Sequence, residues 1–196
     1  GNEVGEAQIS VFGRQNLYNV AAAAACALGI GMRSLDIWKA LPSCKGLWGR
    51  GQVVPLASGA SAIFDAYNAN PDSYQVLFEN IGRTQSKGKI FGIFGEMLEM
   101  GDQSEKLHFE LGELAAKIPF EAVYFLGTSS EHFKEGMLHK GFRKNLMISN
   151  TYEKSLAIKI ADMLKPGDIV LIKGSRGNRL EQAFEALNPV DIPNKY

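Results

Sequence analysis

Three short segments hold side chains whose type and spacing could do chemistry, and each follows an apolar run. The first is Asp65-Ala66-Tyr67-Asn68-Ala69-Asn70-Pro71. A carboxylate there can accept hydrogen bonds from a ribose diol, and Asn68 and Asn70 each carry a donor and an acceptor. The same residues would also build an Asx turn leading into a helix. The second is Gly95-Glu96-Met97-Leu98-Glu99-Met100-Gly101. Its two carboxylates between glycines suit a cation or an ammonium group, or simply a solvated turn. The third is Lys173-Gly174-Ser175-Arg176-Gly177. Backbone N–H groups at a following helix start, with Lys173 and Arg176 beside them, suit a carboxylate or phosphate. A basic surface turn accounts for the same residues. No Walker A pattern, GxxxxGK[ST], occurs in the chain.

Other chemistries find less support. The 3 histidines, His108, His132 and His139, fall on predicted helices with no i,i+4 pair, so no metal site is expected. There is no GxSxG nucleophile elbow. The 2 cysteines, Cys26 and Cys44, form no CxxC pair and read as reduced thiols of a cytoplasmic protein. With 21 basic against 21 acidic residues, no charge excess favours nucleic acid or an anionic membrane. The longest apolar stretch, residues 20–30, is too short for a membrane span, which needs about 20 residues.

The elements that must position the three segments follow from periodicity and punctuation. Residues 8–12 read as a strand. Gly13 and Arg14 turn the chain, and Asn16 is placed to cap a helix over 17–28. Ser34 is placed to cap a second helix, which Pro42 stops. This alanine-rich opening is too small to fold alone. A glycine-rich stretch, 43–51, joins it to a regular alternation. Strands are predicted over 51–56, 62–65, 89–95, 122–127, 145–149 and 168–174. Helices are predicted over 71–82, 104–118 with Ser104 as cap, 130–140, 151–164 and 179–187. The strands are apolar nearly throughout, as expected when both faces are covered. The fold class is therefore α/β: a Rossmann-like, mostly parallel sheet flanked by helices. In such sheets ligands bind at the carboxyl ends of strands, where all three segments lie.

Read together, the motifs resemble the Mur ligase family. The resemblance rests on Gly13-Arg14-Gln15-Asn16-Leu17-Tyr18-Asn19 before the alanine run, the Gly49-Arg50-Gly51 step, DAYNANPDS (65–73), GEMLEMG (95–101) with LHFELGELA (107–115), and IKGSRGNRLE (172–181). These occur in the family's order over nearly the whole chain, and they most resemble the branch that joins D-alanyl-D-alanine to UDP-N-acetylmuramoyl-tripeptide. The resemblance implies an ATP-dependent amide ligase of peptidoglycan synthesis. ATP phosphorylates the tripeptide's terminal carboxylate, the dipeptide amine attacks the acyl phosphate, and the tetrahedral intermediate loses phosphate. It also implies a division at residue 48: 1–48 as the end of a central ATP-binding domain, 49–196 as the C-terminal domain. The family's P-loop, carbamylated lysine, Mg2+ ligands and UDP-sugar domain are expected upstream, so these residues alone are expected to be inactive.

Residue roles carry over by motif position. Asn16 and Asn19 match asparagines that contact adenine. Arg50 matches the hinge-side arginine that reaches the ATP phosphates on domain closure and is the expected catalytic residue. Asp65 matches the aspartate on the ribose. Asn68 and Asn70 lie in the same loop and are expected to help place nucleotide or dipeptide. Lys173, Ser175 and Arg176 match a loop facing the incoming amino component. Gln15 departs from the family's usual histidine and cannot titrate, and Glu96 stands where an aspartate is usual. Two alternatives remain at this level: a non-catalytic Rossmann-like binding module, and a related ligase of the folylpolyglutamate or cyanophycin type. DAYNANP together with KGSR favours the D-alanyl-D-alanine branch over the latter.

Overall fold

The computed structural model describes residues 5–7, 9, 11–44, 46–84 and 86–190. Among the described residues, seven α-helices and six strands run in the order α1 (Arg14–Gly29), α2 (Ser34–Ala40), β1 (Gln52–Pro55), β2 (Ser61–Asp65), α3 (Pro71–Gly82), β3 (Ile90–Gly95), α4 (Ser104–Ala115), β4 (Phe120–Leu126), α5 (Ser130–His139), β5 (Asn145–Ser149), α6 (Lys154–Met163), β6 (Ile169–Lys173) and α7 (Glu181–Ala186). The strands form one sheet in the order β1-β2-β6-β3-β4-β5.

Every pairing from β2 to β5 is parallel. β1 alone runs antiparallel, against β2. The reason is the short link between them: the turn at Ala57-Ser58-Gly59, with Gly59 at φ 81, cannot make the long crossover a parallel neighbour requires. All of β3 is buried, as are Val170 to Lys173 of β6, so the apolar runs lie between two helical layers. On one face Tyr74, Leu77, Phe78 and Ile81 of α3 join Leu111, Phe133 and Met137 of α4 and α5. On the other, Ala157 and Ile160 of α6 join Ala183 and Phe184 of α7. Successive strands β3, β4 and β5 step outward, and β6 then returns to insert between β2 and β3. That reversal places the carboxyl ends of β2, β6 and β3 around one crevice.

Several sequence expectations change here. In the predicted strand 8–12, Gln8 and Ser10 lie outside the described residues, and Ile9, Val11 and Phe12 belong to no strand. Asn16 is not the cap of α1. The helix opens at Arg14, three residues earlier than expected: Gly13, at φ 89, occupies the cap position and Asn16 sits in the first turn, its amide donating back to Phe12 O at 2.7 Å. Ser34 is the first helical residue behind Arg33, whose guanidinium grips Asp36 at 2.7 Å. Pro42 lies in a 3-10 turn that prolongs α2. Ser104 starts α4 without capping it, because its hydroxyl is turned to Ser129 and His108.

The opening helices differ from the rest. Neither α1 nor α2 buries a residue fully, and Leu17, Tyr18, Ile30, Leu35 and Trp38 are exposed. α1 touches the sheet body through polar contacts, Asn80 Nδ2 donating to Gln15 Oε1 at 2.9 Å among them. Trp48, by contrast, packs on Phe64 and Phe184 with ring centroids 4.7 and 5.7 Å away. Among the described residues no helix is long and apolar enough to cross a membrane.

Candidate functional site

The crevice at the ends of β2 and β6 opens into a cleft of about 420 Å³. Asn16 and Asn19 of α1, Arg50, Asp65, Asn68, Asn70 and Lys173 all line it, with Tyr67 and Gln15 beside them. Four separate stretches of sequence thus converge on one space, and the fold explains how each arrives.

Asp65 is the last residue of β2 and pairs in register with Lys173, the last of β6. The Lys173 ammonium is turned into the protein. It meets Asp65 Oδ2 at 2.7 Å, donates to Asn68 O at 3.1 Å, and lies 5.4 Å from the Tyr74 ring centroid. Its side chain is 2 % exposed, while that of Asp65 is 25 % exposed. One carboxylate oxygen is therefore committed to the ammonium and the other, Oδ1, has no hydrogen-bond partner among the described residues. Tyr74, wholly buried, sets its hydroxyl 2.7 Å from both Gly95 O and Lys173 O, tying the ends of β3 and β6 together. Burial, and then the negative charge of Asp65, raise its pKa well above 10, so it stays a neutral donor.

The loop after β2 is built for helix entry. Asn70 caps α3: its side chain accepts from Ser73 N at 2.8 Å, while Ser73 Oγ accepts from Asn70 N at 3.0 Å, and Pro71 follows at the first helical position. Asn68 Oδ1 accepts from Ala69 N at 2.8 Å. The Asx-type organisation open to these residues is present, and it leaves the side-chain amide nitrogens of these two cleft-lining residues without a partner among the described residues.

Arg50 comes from the glycine-rich step. Gly49 (φ 70) and Gly51 (φ 69) flank it in left-handed conformation, which favours glycine. A Cβ on Gly49 would press on Tyr67 N, and one on Gly51 on Asn16 Nδ2. The step is docked by Tyr67 N donating to Gly49 O at 3.1 Å, and the exposed Arg50 guanidinium lies 4.1 Å from the Tyr67 ring centroid.

The third motif divides. Lys173 faces the cleft floor as described. Ser175 is buried and buckles two loops, accepting from Leu98 N at 3.0 Å and donating its own N–H to Glu96 O at 3.4 Å. Arg176 is exposed, 6.0 Å from the Tyr67 ring centroid and 3.7 Å from Glu181. Neither Ser175 nor Arg176 lines the cleft. In the second motif Glu96 is held by Thr128 Oγ1 at 2.9 Å and Ser129 N at 3.3 Å. His108 accepts from Met97 N at Nε2 and gives its Nδ1 proton to Ser104 O, a neutral tautomer fixed by both bonds. Among the described residues no three His, Cys, Asp or Glu side chains come together as a metal site. Tyr67 and Tyr74 were not singled out from sequence. Tyr67 lay within the first motif, but an aromatic in a loop carries no signal of the cation it will face.

The pattern of the family described as "Mur ligase, glutamate ligase domain" matches residues 49–176. The chain belongs to the Mur ligase family. Among its relatives, the UDP-N-acetylmuramoyl-tripeptide–D-alanyl-D-alanine ligase of Bacillus subtilis is 32 % identical over 179 residues, which is 91 % of this chain and 39 % of that protein. The crystal structure of the MurF ligase from Thermotoga maritima in complex with ADP superposes with a TM-score of 0.74 at 28 % identity, over 90 % of this chain and 38 % of that one. A MurF structure from Acinetobacter baumannii gives 0.76 at 28 %, over 89 % and 38 %. This Mur ligase chain thus spans about two fifths of the relatives it matches. The mostly parallel sheet with helices on both faces is the Mur ligase C-terminal fold that the motifs implied.

Proposed function

We propose that this chain is the C-terminal part of an ATP-dependent ligase of the cytoplasm that adds D-alanyl-D-alanine to UDP-N-acetylmuramoyl-tripeptide in peptidoglycan synthesis. The observation that carries the reading is the convergence of Asn16, Asn19, Arg50, Asp65 and Lys173 on one cleft at the switch point of the sheet. The donor set suits a nucleotide: carboxamides for a base, an unpaired carboxylate oxygen for a ribose diol, and a cation for phosphate. The division between an ATP-binding part and a C-terminal domain falls near residue 48. The unburied, apolar α1 and α2 support it, and Trp48 goes with the C-terminal core. Mg2+ ligands are assigned to other parts of the enzyme.

Within the cleft each residue has a role. Asn16 and Asn19 face the base, and Asp65 Oδ1 accepts from the ribose. Lys173 holds Asp65 rather than touching substrate, since its three contacts are all internal. Asn68 and Asn70 offer amide donors to nucleotide or dipeptide. Arg176, exposed above the crevice, meets the incoming amino component, while Ser175 fixes the loop that carries it. Arg50 supplies positive charge as negative charge moves from the γ-phosphate to the acyl phosphate, the type of preorganised stabilisation that catalysis uses most.

Steady-state kinetics of Asp65→Ala in the longer enzyme tests this. Losing a charge-assisted hydrogen bond costs about 1.5–3 kcal/mol, and because the ribose contact is the same in ground and transition states the loss should appear in the KM for ATP. An unchanged KM for ATP rejects the ribose role.

A further inference from the structure

Tyr67 has no assigned part in the reaction, yet it meets both residues of the glycine–arginine step. Its backbone N–H donates to Gly49 O at 3.1 Å, and its ring lies 4.1 Å from the Arg50 guanidinium carbon. Tyr67 is 47 % exposed and lines the cleft. Arg176, from the far end of the chain, approaches the same ring at 6.0 Å. No carboxylate lies within ion-pair distance of Arg50 among the described residues, so the aromatic face is the group that holds its guanidinium in place. A guanidinium over a phenol face is attracted by the ring quadrupole and keeps its N–H donors, which lie in its own plane, available at the edge. A carboxylate in the same place would neutralise the charge and occupy the donors.

We propose that Tyr67 is a positioning residue: its ring is the platform that aims Arg50, and gathers Arg176 beside it, toward the anionic groups handled in the cleft. Resting on the ligase reading above, this makes Arg50 and Arg176 a pair on one aromatic support, one directed at phosphate and the other at the carboxylate of the amino component. The platform also explains why Gly49 must be small. A Cβ there would stand 3.2 Å from Tyr67 N, crowding the contact that seats the step, and the φ of 70 disfavours any other residue.

Two measurements test it. In this chain, NMR of the arginine side chains reads the platform without any substrate. Arg50 side-chain protons should show a ring-current shift that Tyr67→Leu abolishes and Tyr67→Phe keeps. In the longer enzyme, Tyr67→Leu should lower kcat roughly two- to fivefold with the KM for ATP unchanged, as expected for loss of an exposed cation–π contact. Tyr67→Phe should recover most of that loss. In an Arg50→Ala background Tyr67→Leu should have no further effect, because both act through one group. An absent ring-current shift, additive losses in the double variant, or a raised KM for ATP with kcat retained (a ring that stacks on nucleotide instead) would each overturn the proposal. If the ring-current shift is present but the enzyme releases no phosphate with these substrates, the ligase reading has failed and the platform has not.

Discussion

Replacing Lys173 by Met removes one partner of the pair on which the cleft is built. The methionine fills a similar volume, so packing changes little and the loss is electrostatic. The Lys173 side chain is 2 % exposed and meets Asp65 at 2.7 Å and Asn68 O at 3.1 Å. Breaking a fully buried pair from one side costs about 3–5 kcal/mol, because the other charge is left uncompensated. Asp65 is 25 % exposed and can recover part of its hydration, which brings the expected cost down to about 2–3 kcal/mol. For a chain of this size that corresponds to a melting temperature lower by roughly 5–10 °C. Urea unfolding of this chain followed by circular dichroism measures it directly. The double variant Lys173→Met/Asp65→Asn should regain part of the loss, since no unpaired charge remains. A cost below about 0.5 kcal/mol for Lys173→Met, the level of an exposed pair, would refute the argument that the ammonium is a buried counter-ion.

Arg50→Ala in the longer enzyme should lower kcat by about 10²–10³ with little change in the KM for ATP, and Arg50→Lys should restore only part; near-normal turnover of both in a steady-state assay removes Arg50 from the site. His108 should make stability depend on pH: burial, only partly opposed by its bond to Ser104 and the charge of Glu96, lowers its pKa below 6.5, with His132 adding to the lowering. The unfolded state then binds the proton more readily, so the contribution is full above pH 6.5 and is lost as pH falls through and below it. Urea midpoints at pH 7.5, 6.5 and 5.5 should decline in that order, and a rise toward pH 5.5 contradicts the assignment. Limited proteolysis should cut first on the N-terminal side of Trp48, whose ring is packed on Phe64 and Phe184, and a first cut inside 60–185 contradicts the division of the chain.

The elements of the C-terminal fold were legible because their signals are local and strong. Pro71 at a helix start, the uninterrupted apolar run of β3, and the Lys165-Pro166-Gly167 stop after α6 each report a single conformation. Asn16 and Ser104 do not cap their helices because their side chains found other partners, and Ser34 lies one residue inside its helix; cap preference states only what a side chain can do. The antiparallel setting of β1 follows from the short turn at Ala57-Ser58-Gly59, which lies between the two predicted strands and does not by itself state their relative direction. Within the site, residues of four of the motifs line one cleft, but the direction of Lys173 was not readable. Whether a lysine at a strand end faces solvent or a carboxylate depends on a register set 108 residues away, between β6 and β2. The same holds for Ser175, whose hydroxyl is used by Leu98 from another loop.

Phosphate release by the longer enzyme, measured continuously with ATP, UDP-N-acetylmuramoyl-tripeptide and D-alanyl-D-alanine, tests the central claim most directly. Release should need all three substrates, should fall in Arg50→Ala to about 1 % of the normal rate or less, and should not be supported by this chain by itself. Release that proceeds equally without the dipeptide, or that this chain sustains alone without a Walker A loop, would contradict it.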